Sequence, residues 1–507
     1  MTVARTWAVA LVGVHGTLVE VEADLAQQTP EFRIIGLGDR ALSEAVQRVH
    51  NACANSGLPL PRRRLTVNLS PASLPKQGSS FDVAVAIAAL ATEGGLDRGS
   101  VAATVHLGEL GLDGRLRPVA GVLPAVLAAA RAGRRRVVVP AANRAEAELV
   151  RGIDVIGAVS LAEVARVHGA EVEVPEVEPV PGPAARATAG TESGDLGDVI
   201  GQRDAVEALI VAAAGGHHLL MSGPPGAGKT MLARRLPGIL PELDERAALE
   251  VASIRSLSGE PVDALSRIPP LEAPHHTASL VALVGGGSRG IRPGAIARAS
   301  GGVLFLDEAG EFPSSVLDAL RQPLEHGTID IHRAGATARF PARFQLVLAT
   351  NPCPCGNYGV RGANCECPPF AIRRYLSRLS GPLLDRVDIE LPVRRVTAVA
   401  ASGDRTTSAE ARERVAAARE QAFARLRETP WRRNADVAGS WLREGPLAPE
   451  PVVRRPLDAA LERGALTLRG YDRVLRIAWT LADLDRRTRL QVDDIGRALF
   501  MKKGISA

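Results

Sequence analysis

The sequence predicts an α/β protein of several domains, with a parallel-sheet core and a bundle of helices at its C-terminal end. Its 507 residues suffice for roughly three domains that each bury a core. An apolar run at 219–221 leads straight into a Gly-rich loop and then a helical pattern, which is typical of a parallel sheet. From about residue 405 onward, apolar residues recur at helical spacing.

The composition is that of a globular protein, with 46% apolar and 23% charged residues. Aromatic residues make up only 3%, which argues against extended base-stacking surfaces but not against contacts to phosphates. A net charge of +5 over this length supports a nucleic-acid partner only weakly. No apolar run approaches the ~18 residues of a membrane span, so we expect no membrane association.

The first 168 residues predict an α/β domain. Residues 7–14 are apolar and could pass for a signal peptide, but they run into an alternating pattern that predicts a strand. Short β-type runs then alternate with Ala-rich helical stretches, with strands expected at 66–69 and 136–139 and helices at 82–91 and 122–132. Residues 169–195 are rich in Pro, Glu, Ala and Gly and predict a linker.

The loop at 223–230 fits the phosphate-binding pattern G-x-x-x-x-G-K-T. Its glycines let backbone N–H groups surround nucleotide phosphates, which also lie at the positive end of the following helix. Lys229 is expected to reach the terminal phosphates, and the Thr230 hydroxyl is placed for Mg²⁺. A chance Gly/Pro-rich turn is the alternative, but only four of the 61 basic residues are lysines, which favours a specific role for this one. The predicted nucleotide-binding residues are Gly223, Pro224, Pro225, Gly226, Ala227, Gly228, Lys229 and Thr230.

Two further strands end in polar residues. The apolar run 303–306 is followed by Asp307, expected in the Mg²⁺ shell, and Glu308, expected to polarise the attacking water. The run 344–350 ends at Asn351, which resembles the sensor 1 residue of AAA+ ATPases and would help to position that water. A strand-ending Asn in an ordinary turn is the alternative for Asn351.

Two arginine segments resemble known AAA+ features. Residues 379–388 resemble the arginine-finger segment of the magnesium-chelatase and MCM branch, which implies that Arg386 completes a neighbouring subunit's site. A solvated surface arginine is the alternative. Residues 467–478 resemble the sensor 2 helix, which implies that Arg469 contacts the γ-phosphate, with Arg473 and Arg476 as the other candidates.

Four of the five cysteines form two C-x-C pairs that could surround Zn²⁺, although their inner spacing is tighter than the usual C-x₂₋₄-C. Four free buried thiols are the alternative. A cluster of this kind does not resemble a secreted disulfide framework, so the expected compartment is the cytoplasm. The candidate zinc ligands are Cys353, Cys355, Cys365 and Cys367. The adjacent histidines at 217–218 and 275–276 are interpreted as structural.

Two segments on either side of the apolar run 303–306 carry candidate DNA contacts. The Gly- and Pro-rich loop at 285–294 holds Arg289 and Arg292, which suits contact with a phosphate backbone. Residues 327–341 predict a β-hairpin that carries Arg333 and that resembles the pre-sensor 1 hairpin of helicase-type AAA+ proteins. In a ring of subunits, this resemblance implies that all three arginines face the central channel.

The N-terminal domain resembles the proteolytic domain of Lon, a ribosomal S5 domain 2-like fold. The resemblance rests on residues 75–80 and 108–133, with Ser80 at the position of the nucleophile. Leu123 stands where that family has its lysine base. A serine without a base is a poor nucleophile, so we expect the fold without a peptidase.

Together these segments resemble the ComM/YifB family of magnesium-chelatase-like AAA+ ATPases. The resemblance implies a Lon-like domain at 1–168, an AAA+ core at 196–396 and a C-terminal helical lid at 397–507, of which 428–456 match poorly. It further implies a homo-oligomeric ring, with a hexamer expected, that uses ATP and Mg²⁺, with a possible structural Zn²⁺. Its partner would be single-stranded or branched DNA.

Three functions follow from these resemblances. The first is a DNA motor of the helicase or branch-migration type, in homologous recombination or natural transformation. The second is a chelatase- or MoxR-like ATPase that remodels a protein partner. The Lon-like domain and the arginine-bearing loop favour the first over the second, and the missing lysine base disfavours the third, a Lon-type protease.

Overall fold

The computed structural model describes residues 3–36, 40–74, 76, 78–182, 194–287, 291–333, 336–360, 362, 364–396 and 405–503. Its architecture confirms the predicted class. A mixed α/β domain comes first, a parallel-sheet core follows, and helices form the C-terminal region. Residues 169–182 and 194–195, the described part of the expected linker, form neither helix nor strand.

The N-terminal domain is built on a mixed sheet. Its strands are β1 (Ala4–Val12), β2 (His15–Ala26), β3 (Glu31–Ile35), β4 (Arg64–Ser70), β5 (Thr104–His106), β6 (Glu109–Leu110), β7 (Leu116–Arg117), β8 (Arg136–Pro140) and β9 (Asp154–Ala158). Within the described residues, the sheet order is β3-β4-β2-β1-β5-β8-β9, and β6 pairs with β7. The apolar segment near the N-terminus is therefore strand β1, antiparallel to β2 along its whole length.

Helices cover this sheet, and the two that were predicted are confirmed. They are α1 (Arg40–Asn55), α2 (Asp82–Leu90), α3 (Arg98–Ala103), α4 (Val122–Arg131), α5 (Arg144–Glu148) and α6 (Leu161–Val167). Helix α2 is apolar on all sides and buried from Asp82 to Ala89, because it packs against β1, β2 and α1.

The central domain contains a parallel sheet, as predicted. Its strands are β10 (Leu219–Ser222), β11 (Leu271–Glu272), β12 (Gly285–Gly286), β13 (Arg292–Pro293), β14 (Val303–Leu306), β15 (Thr328–Arg333), β16 (Ala336–Pro341), β17 (Gln345–Thr350) and β18 (Ile389–Pro392). In the part of the chain that is described, the sheet order is β11-β14-β17-β10-β18, with every pair parallel. Strands β14 and β17 are buried throughout, which explains the apolar runs 303–306 and 346–349.

The helices of this domain are mostly short. They are α7 (Arg203–Gly215), α8 (Lys229–Ile239), α9 (Glu245–Leu257), α10 (Leu280–Val284), α11 (Ala295–Arg298), α12 (Ser314–Asp318), α13 (Arg321–His326), α14 (Pro369–Leu376) and α15 (Gly381–Leu384). Helix α8 begins directly at the end of the Gly-rich loop, so the loop joins the carboxyl end of β10 to a helix N-terminus. This is the arrangement that the phosphate-binding pattern predicted.

The C-terminal region is helical, with α16 (Ser408–Arg425), α17 (Gly439–Glu444), α18 (Pro451–Glu462), α19 (Leu468–Leu484) and α20 (Val492–Lys503). The helical spacing of apolar residues predicts a helix at 456–463, and this boundary is wrong because α18 begins at Pro451. Pro451 suits the first turn, whereas Pro456 lies inside the helix and removes a backbone hydrogen bond. Burial of Leu457 and Ala460 in the core outweighs this local cost.

The N-terminal and central domains are in direct contact. Helix α4 packs against α9, and Ala252 of α9 is buried in the apolar core of the N-terminal domain. The Gly121 N–H donates to the Ser256 carbonyl at 3.1 Å. At the β1–β2 turn, Gly13 has a φ of +62°, and a Cβ there would lie 2.3 Å from the carbonyl oxygen of Arg339 in β16. Only glycine fits this approach.

Candidate nucleotide site

The phosphate loop has a backbone that requires its glycines. Gly226 and Gly228 have φ values of +75° and +90°. A Cβ at Gly223 would lie 2.1 Å from the Val393 carbonyl oxygen. Such a loop at the N-terminus of the eleven-residue helix α8 presents backbone N–H groups and a positive dipole end to an anion.

Lys229 lies at the centre of this loop. Its Nζ donates to the carbonyls of Gly223 at 2.6 Å and Pro224 at 3.0 Å, and to Asn351 Oδ1 at 3.0 Å. Burial lowers the pKa of Lys229, and the carboxylate of Asp307 opposes this shift. The structure thus joins the phosphate-loop lysine to the polar residue at the end of the neighbouring strand β17.

The carboxylates after β14 lie at the same edge of the sheet. The Thr230 hydroxyl donates to Asp307 Oδ2 at 2.6 Å, which brings together two oxygen ligands that Mg²⁺ could share with nucleotide phosphates. Glu308 has a φ of +52°, a left-handed conformation that costs a residue with a side chain ~1–3 kcal/mol. The turn is therefore held by its surroundings, and strain of this kind concentrates at functional sites.

His276 is a site residue that the sequence interpretation missed. Its Nδ1 lies 3.1 Å from Glu308 Oε2, a contact that the interpretation of the 275–276 pair as structural did not include. Its neighbour His275 instead pairs with the Thr277 hydroxyl at 2.8 Å. No local sequence pattern could have found this contact, because it depends on β11, which precedes His276, lying beside β14 in the sheet.

A cavity of about 720 Å³ adjoins the phosphate loop. Gln202 lines it and donates from Nε2 to the Ala227 carbonyl at 2.5 Å, so the cavity and the loop share a wall. Leu391, Phe500 and Met501 add apolar surface. A cavity of this size and lining can hold the base and sugar of a nucleotide whose phosphates lie in the loop.

Arg386 and Arg469 lie at the opposite end of the sheet. Arg386 precedes β18, whose first residue Ile389 pairs with Leu219 at the amino end of β10. The Arg469 guanidinium is 3.4 Å from the Asp385 carboxylate, which places it beside Arg386. Because the phosphate loop follows the carboxyl end of β10, a short strand separates both arginines from the phosphates of their own chain.

The Arg386 side chain is mostly buried in this conformation. It pairs with Glu325 of α13 and donates to the Pro382 carbonyl. An arginine that acts on a neighbouring subunit must leave Glu325. Arg469, in contrast, keeps 74% of its side chain exposed.

The other two sensor 2 candidates have structural partners. Arg473 pairs with the buried Asp388, and Arg476 donates to the Val437 carbonyl at 2.8 Å. Burial would raise the pKa of Asp388, but Arg473 and the hydrogen bond from His217 outweigh it and hold that pKa far below its usual range. His218 accepts the Leu346 N–H at 3.0 Å. The first histidine pair is therefore structural, as predicted.

The four clustered cysteines come together in space. Their sulfur atoms all lie within 4.8 Å of one another, which a metal ion could bridge. Cys353 is buried and Cys355 is exposed. The loop that carries them starts directly after Asn351, so the cluster borders the nucleotide site.

Two of the three candidate DNA contacts lie on antiparallel ribbons. Arg292 is exposed on β13, which pairs with β12. The predicted hairpin is confirmed as β15–β16, with Arg333 at the end of β15 opposite Ala336. Arg289 lies outside the described residues. A Cβ at Gly285 of β12 would lie 2.7 Å from Ile331 of β15, so the two ribbons pack together.

The N-terminal domain places an apolar side chain where the resemblance to Lon would require a base. Leu123 is fully buried in α4, and its N–H donates to Glu146 at 3.0 Å. Lys76 donates to the carbonyls of Pro71 at 2.5 Å and Gly36 at 3.1 Å. Ser80 is half-buried. The expectation of a domain without peptidase chemistry stays a prediction.

Among the described residues, no helix has both the length and the apolar character needed to traverse a lipid bilayer.

Three family models match the chain. Residues 21–143 match the model described as subunit ChlI of Mg-chelatase, 195–401 match magnesium chelatase, subunit ChlI, and 405–502 match the C-terminal part of the same subunit. The chelatase description of the first match means that the N-terminal domain by itself does not separate a DNA motor from a chelatase-like protein.

Full-length relatives are also found. An uncharacterised protein of Mycobacterium tuberculosis is 47% identical over 99% of both chains. Competence protein ComM of Haemophilus influenzae is 40% identical over 98% of this chain and 97% of its own. The uncharacterised protein YifB of Escherichia coli is 39% identical over 94% and 92%. With such identity over nearly the whole length, and with the site geometry described above, the chain belongs to the ComM/YifB family of magnesium-chelatase-like AAA+ ATPases.

Proposed function

We propose that this AAA+ ATPase is a motor that moves single-stranded or branched DNA by ATP hydrolysis, in branch migration during homologous recombination or natural transformation. The observation that carries the proposal is the packing of the β12–β13 ribbon, with the exposed Arg292, on the β15–β16 hairpin. An arginine on a β-ribbon reaches phosphates without reading bases. The relative named as a competence protein supports the link to transformation.

The positions of Arg386 and Arg469 support a ring of identical subunits. Both lie at the amino end of the sheet, where they can serve the phosphates of the next subunit but not those of their own. A repeated head-to-tail contact of this kind closes into a ring when the rotation allows it. We propose a hexamer.

We propose ATP, Mg²⁺ and Zn²⁺ as cofactors, and the nucleotide site and the cysteine cluster support this. ATP binds with its phosphates in the 223–230 loop and its base in the adjoining cavity, and Thr230 and Asp307 hold Mg²⁺. Asn351 and Glu308 then orient and polarise the attacking water. The four clustered cysteines hold Zn²⁺, for which reduced thiols in the cytoplasm are available.

The decisive experiment is ATP hydrolysis by the full chain with and without forked DNA. A DNA motor hydrolyses ATP faster when DNA is bound. A chelatase- or MoxR-like ATPase would show the same rate with and without DNA and would respond to a protein partner instead, which would replace our proposal.

Arg292→Ala is expected to weaken DNA binding and to leave basal ATP hydrolysis near normal. The arginine releases counterions when it contacts a phosphate, so its loss should lower the slope of log K against log salt by about 0.9. Fluorescence anisotropy on forked DNA at several salt concentrations measures both quantities. Arg427→Ala, an equal change of charge at an exposed site in the helical region, is the control. Unchanged affinity and slope in Arg292→Ala would remove this arginine from the DNA path.

His276→Ala is expected to raise basal ATP hydrolysis and to reduce its stimulation by DNA. The histidine holds the Glu308 carboxylate at 3.1 Å, and its removal frees that carboxylate for the water. A contact this exposed is worth ~0.2–1 kcal/mol, so the rise should be about 1.4- to fivefold. His275→Ala is the matched control, because that side chain pairs with Thr277. A fall in the basal rate in His276→Ala would show that the contact activates Glu308.

A further inference from the structure

We propose that a zinc ion held by the four clustered cysteines fixes their loop against the phosphate loop, so that metal occupancy sets nucleotide affinity. The inference rests on the proposed function for its zinc and ATP sites, and it adds a link between them. A steric contact between Gly356 and Pro225 and a hydrogen bond between Lys229 and Asn351 connect the two sites.

The sulfur positions fit a tetrahedral metal site. Zn–S bonds of ~2.3 Å place the sulfur atoms of a tetrahedron about 3.8 Å apart. The Cys353 sulfur lies 3.3 Å from that of Cys355 and 3.7 Å from that of Cys365, and the Cys355 and Cys365 sulfurs are 3.7 Å apart. The Cys367 sulfur lies within 4.8 Å of the others. A disulfide would require ~2.05 Å.

Hydrogen bonds within the cysteine loop also stabilise the arrangement of the sulfur atoms. The Tyr358 N–H donates to the Cys353 sulfur at 3.3 Å, the kind of contact that stabilises a thiolate ligand. The Asn357 amide donates to the Asn364 carbonyl at 3.2 Å and joins the two halves of the loop next to the cysteines. The backbone is therefore arranged around the cluster.

The cysteine loop packs closely against the phosphate loop at one glycine. Gly356 follows Cys355 with a φ of +79°, and a Cβ there would lie 2.3 Å from Cδ of Pro225. Pro225 is one of the residues that turn the backbone around the phosphates. A displaced cysteine loop would therefore leave this wall of the phosphate loop without support.

A second connection runs along the chain. Asn351, two residues before Cys353, accepts a hydrogen bond from Lys229 at 3.0 Å. A metal ion that fixes Cys353 thus also restricts the residue that contacts the phosphate-loop lysine. Two independent contacts, at Pro225 and at Lys229, pass from the cysteine loop to the nucleotide site.

The first test measures the metal content of the protein. Full-length protein prepared without chelator should contain about one zinc per chain. Exchange for Co²⁺ should give the absorption bands of tetrahedral thiolate coordination. The double variant Cys365→Ser/Cys367→Ser should lose both signals, whereas Cys53→Ala, which removes the buried thiol of α1, should keep them. Protein without metal in every preparation would overturn the site.

The second test isolates the contact with the phosphate loop. Gly356→Ala should keep the metal but bind ATP about tenfold more weakly or worse, because its new methyl group collides with Pro225. Gly359→Ala is the matched control: Gly359 also has a positive φ, of +70°, but a Cβ there meets nothing within 4 Å. It should keep both metal and ATP affinity.

Binding of a fluorescent ATP analogue, without DNA, is the readout, and unfolding curves report whether each variant folds. Equal ATP affinity in both glycine variants would overturn the link while leaving the two sites intact. Because DNA is absent, a failure of the DNA-motor proposal would not change this result. Removal of zinc from the wild-type protein by a chelator should weaken ATP binding in the same direction, and unchanged binding would also contradict the inference.

Discussion

Lys229→Ala is expected to lose nucleotide binding, whereas Glu308→Gln should bind ATP normally and lose hydrolysis. Lys229 is the cation at the centre of the phosphate loop, where charge-assisted hydrogen bonds are worth ~1.5–3 kcal/mol each, so affinity should fall by about 100-fold. Glu308 acts on the water rather than on the nucleotide. Its amide variant should therefore reduce turnover by ~10²–10⁴ at unchanged affinity.

Binding of a fluorescent ATP analogue and release of phosphate measure the two effects separately. Glu311→Gln, at the next carboxylate along the chain, is the control, because Glu311 pairs with Arg378 rather than with residues of the site. Wild-type affinity in Lys229→Ala would show that the nucleotide binds elsewhere. Normal turnover in Glu308→Gln would show that another group polarises the water.

Arg386→Ala is expected to bind ATP and to lose hydrolysis, with activity returning when it is mixed with Glu308→Gln. An arginine finger is worth ~10³–10⁵ in turnover. Each variant is inactive alone, but in a mixed ring some interfaces combine an intact Glu308 with an intact Arg386 from the neighbour. Phosphate release across a series of mixing ratios measures the recovery.

A second mixture provides the control for this experiment. Arg386 and Arg469 lie at the same end of one chain, so a mixture of Arg386→Ala and Arg469→Ala completes no interface and should stay inactive. Recovery in this mixture would place Arg469 at the site of its own chain. Failure of the first mixture at every ratio would remove Arg386 from the role of a finger.

The parts of the site that could be predicted are those that one short segment determines. The glycines at 226 and 228 are required by backbone angles within the loop itself, so the pattern alone revealed them. Asp307 and Asn351 follow buried strands, and parallel strands bring their carboxyl ends to one edge. Local patterns also predicted the β15–β16 hairpin and the helices α2 and α4.

The parts that could not be predicted depend on contacts between distant segments. Glu308 and His276 meet because β11 and β14 are neighbours in the sheet, an order that no local pattern specifies. Gly356 and Pro225 meet only when the cysteine loop folds back over the phosphate loop. The start of α18 was missed because buried side chains, rather than its two prolines, decide where that helix lies.

Arg386 illustrates a further limit. Its sequence context predicts a residue that reaches out of the subunit, yet in a single chain it pairs with Glu325. The sequence indicates only the partner in the neighbouring subunit. The structure shows the partner within the chain, Glu325, which an interface with a neighbour has to displace.

The close approach of Gly13 to the carbonyl of Arg339 couples movement of the hairpin to the N-terminal domain. The β1–β2 turn bears on the hairpin, and α4 is fastened to α9 through buried apolar side chains. If the hairpin advances with a DNA strand, as we propose, it must therefore either carry the N-terminal domain along or separate from it. A chain truncated at the linker would lose the contact between the β1–β2 turn and the hairpin and would expose Ala252.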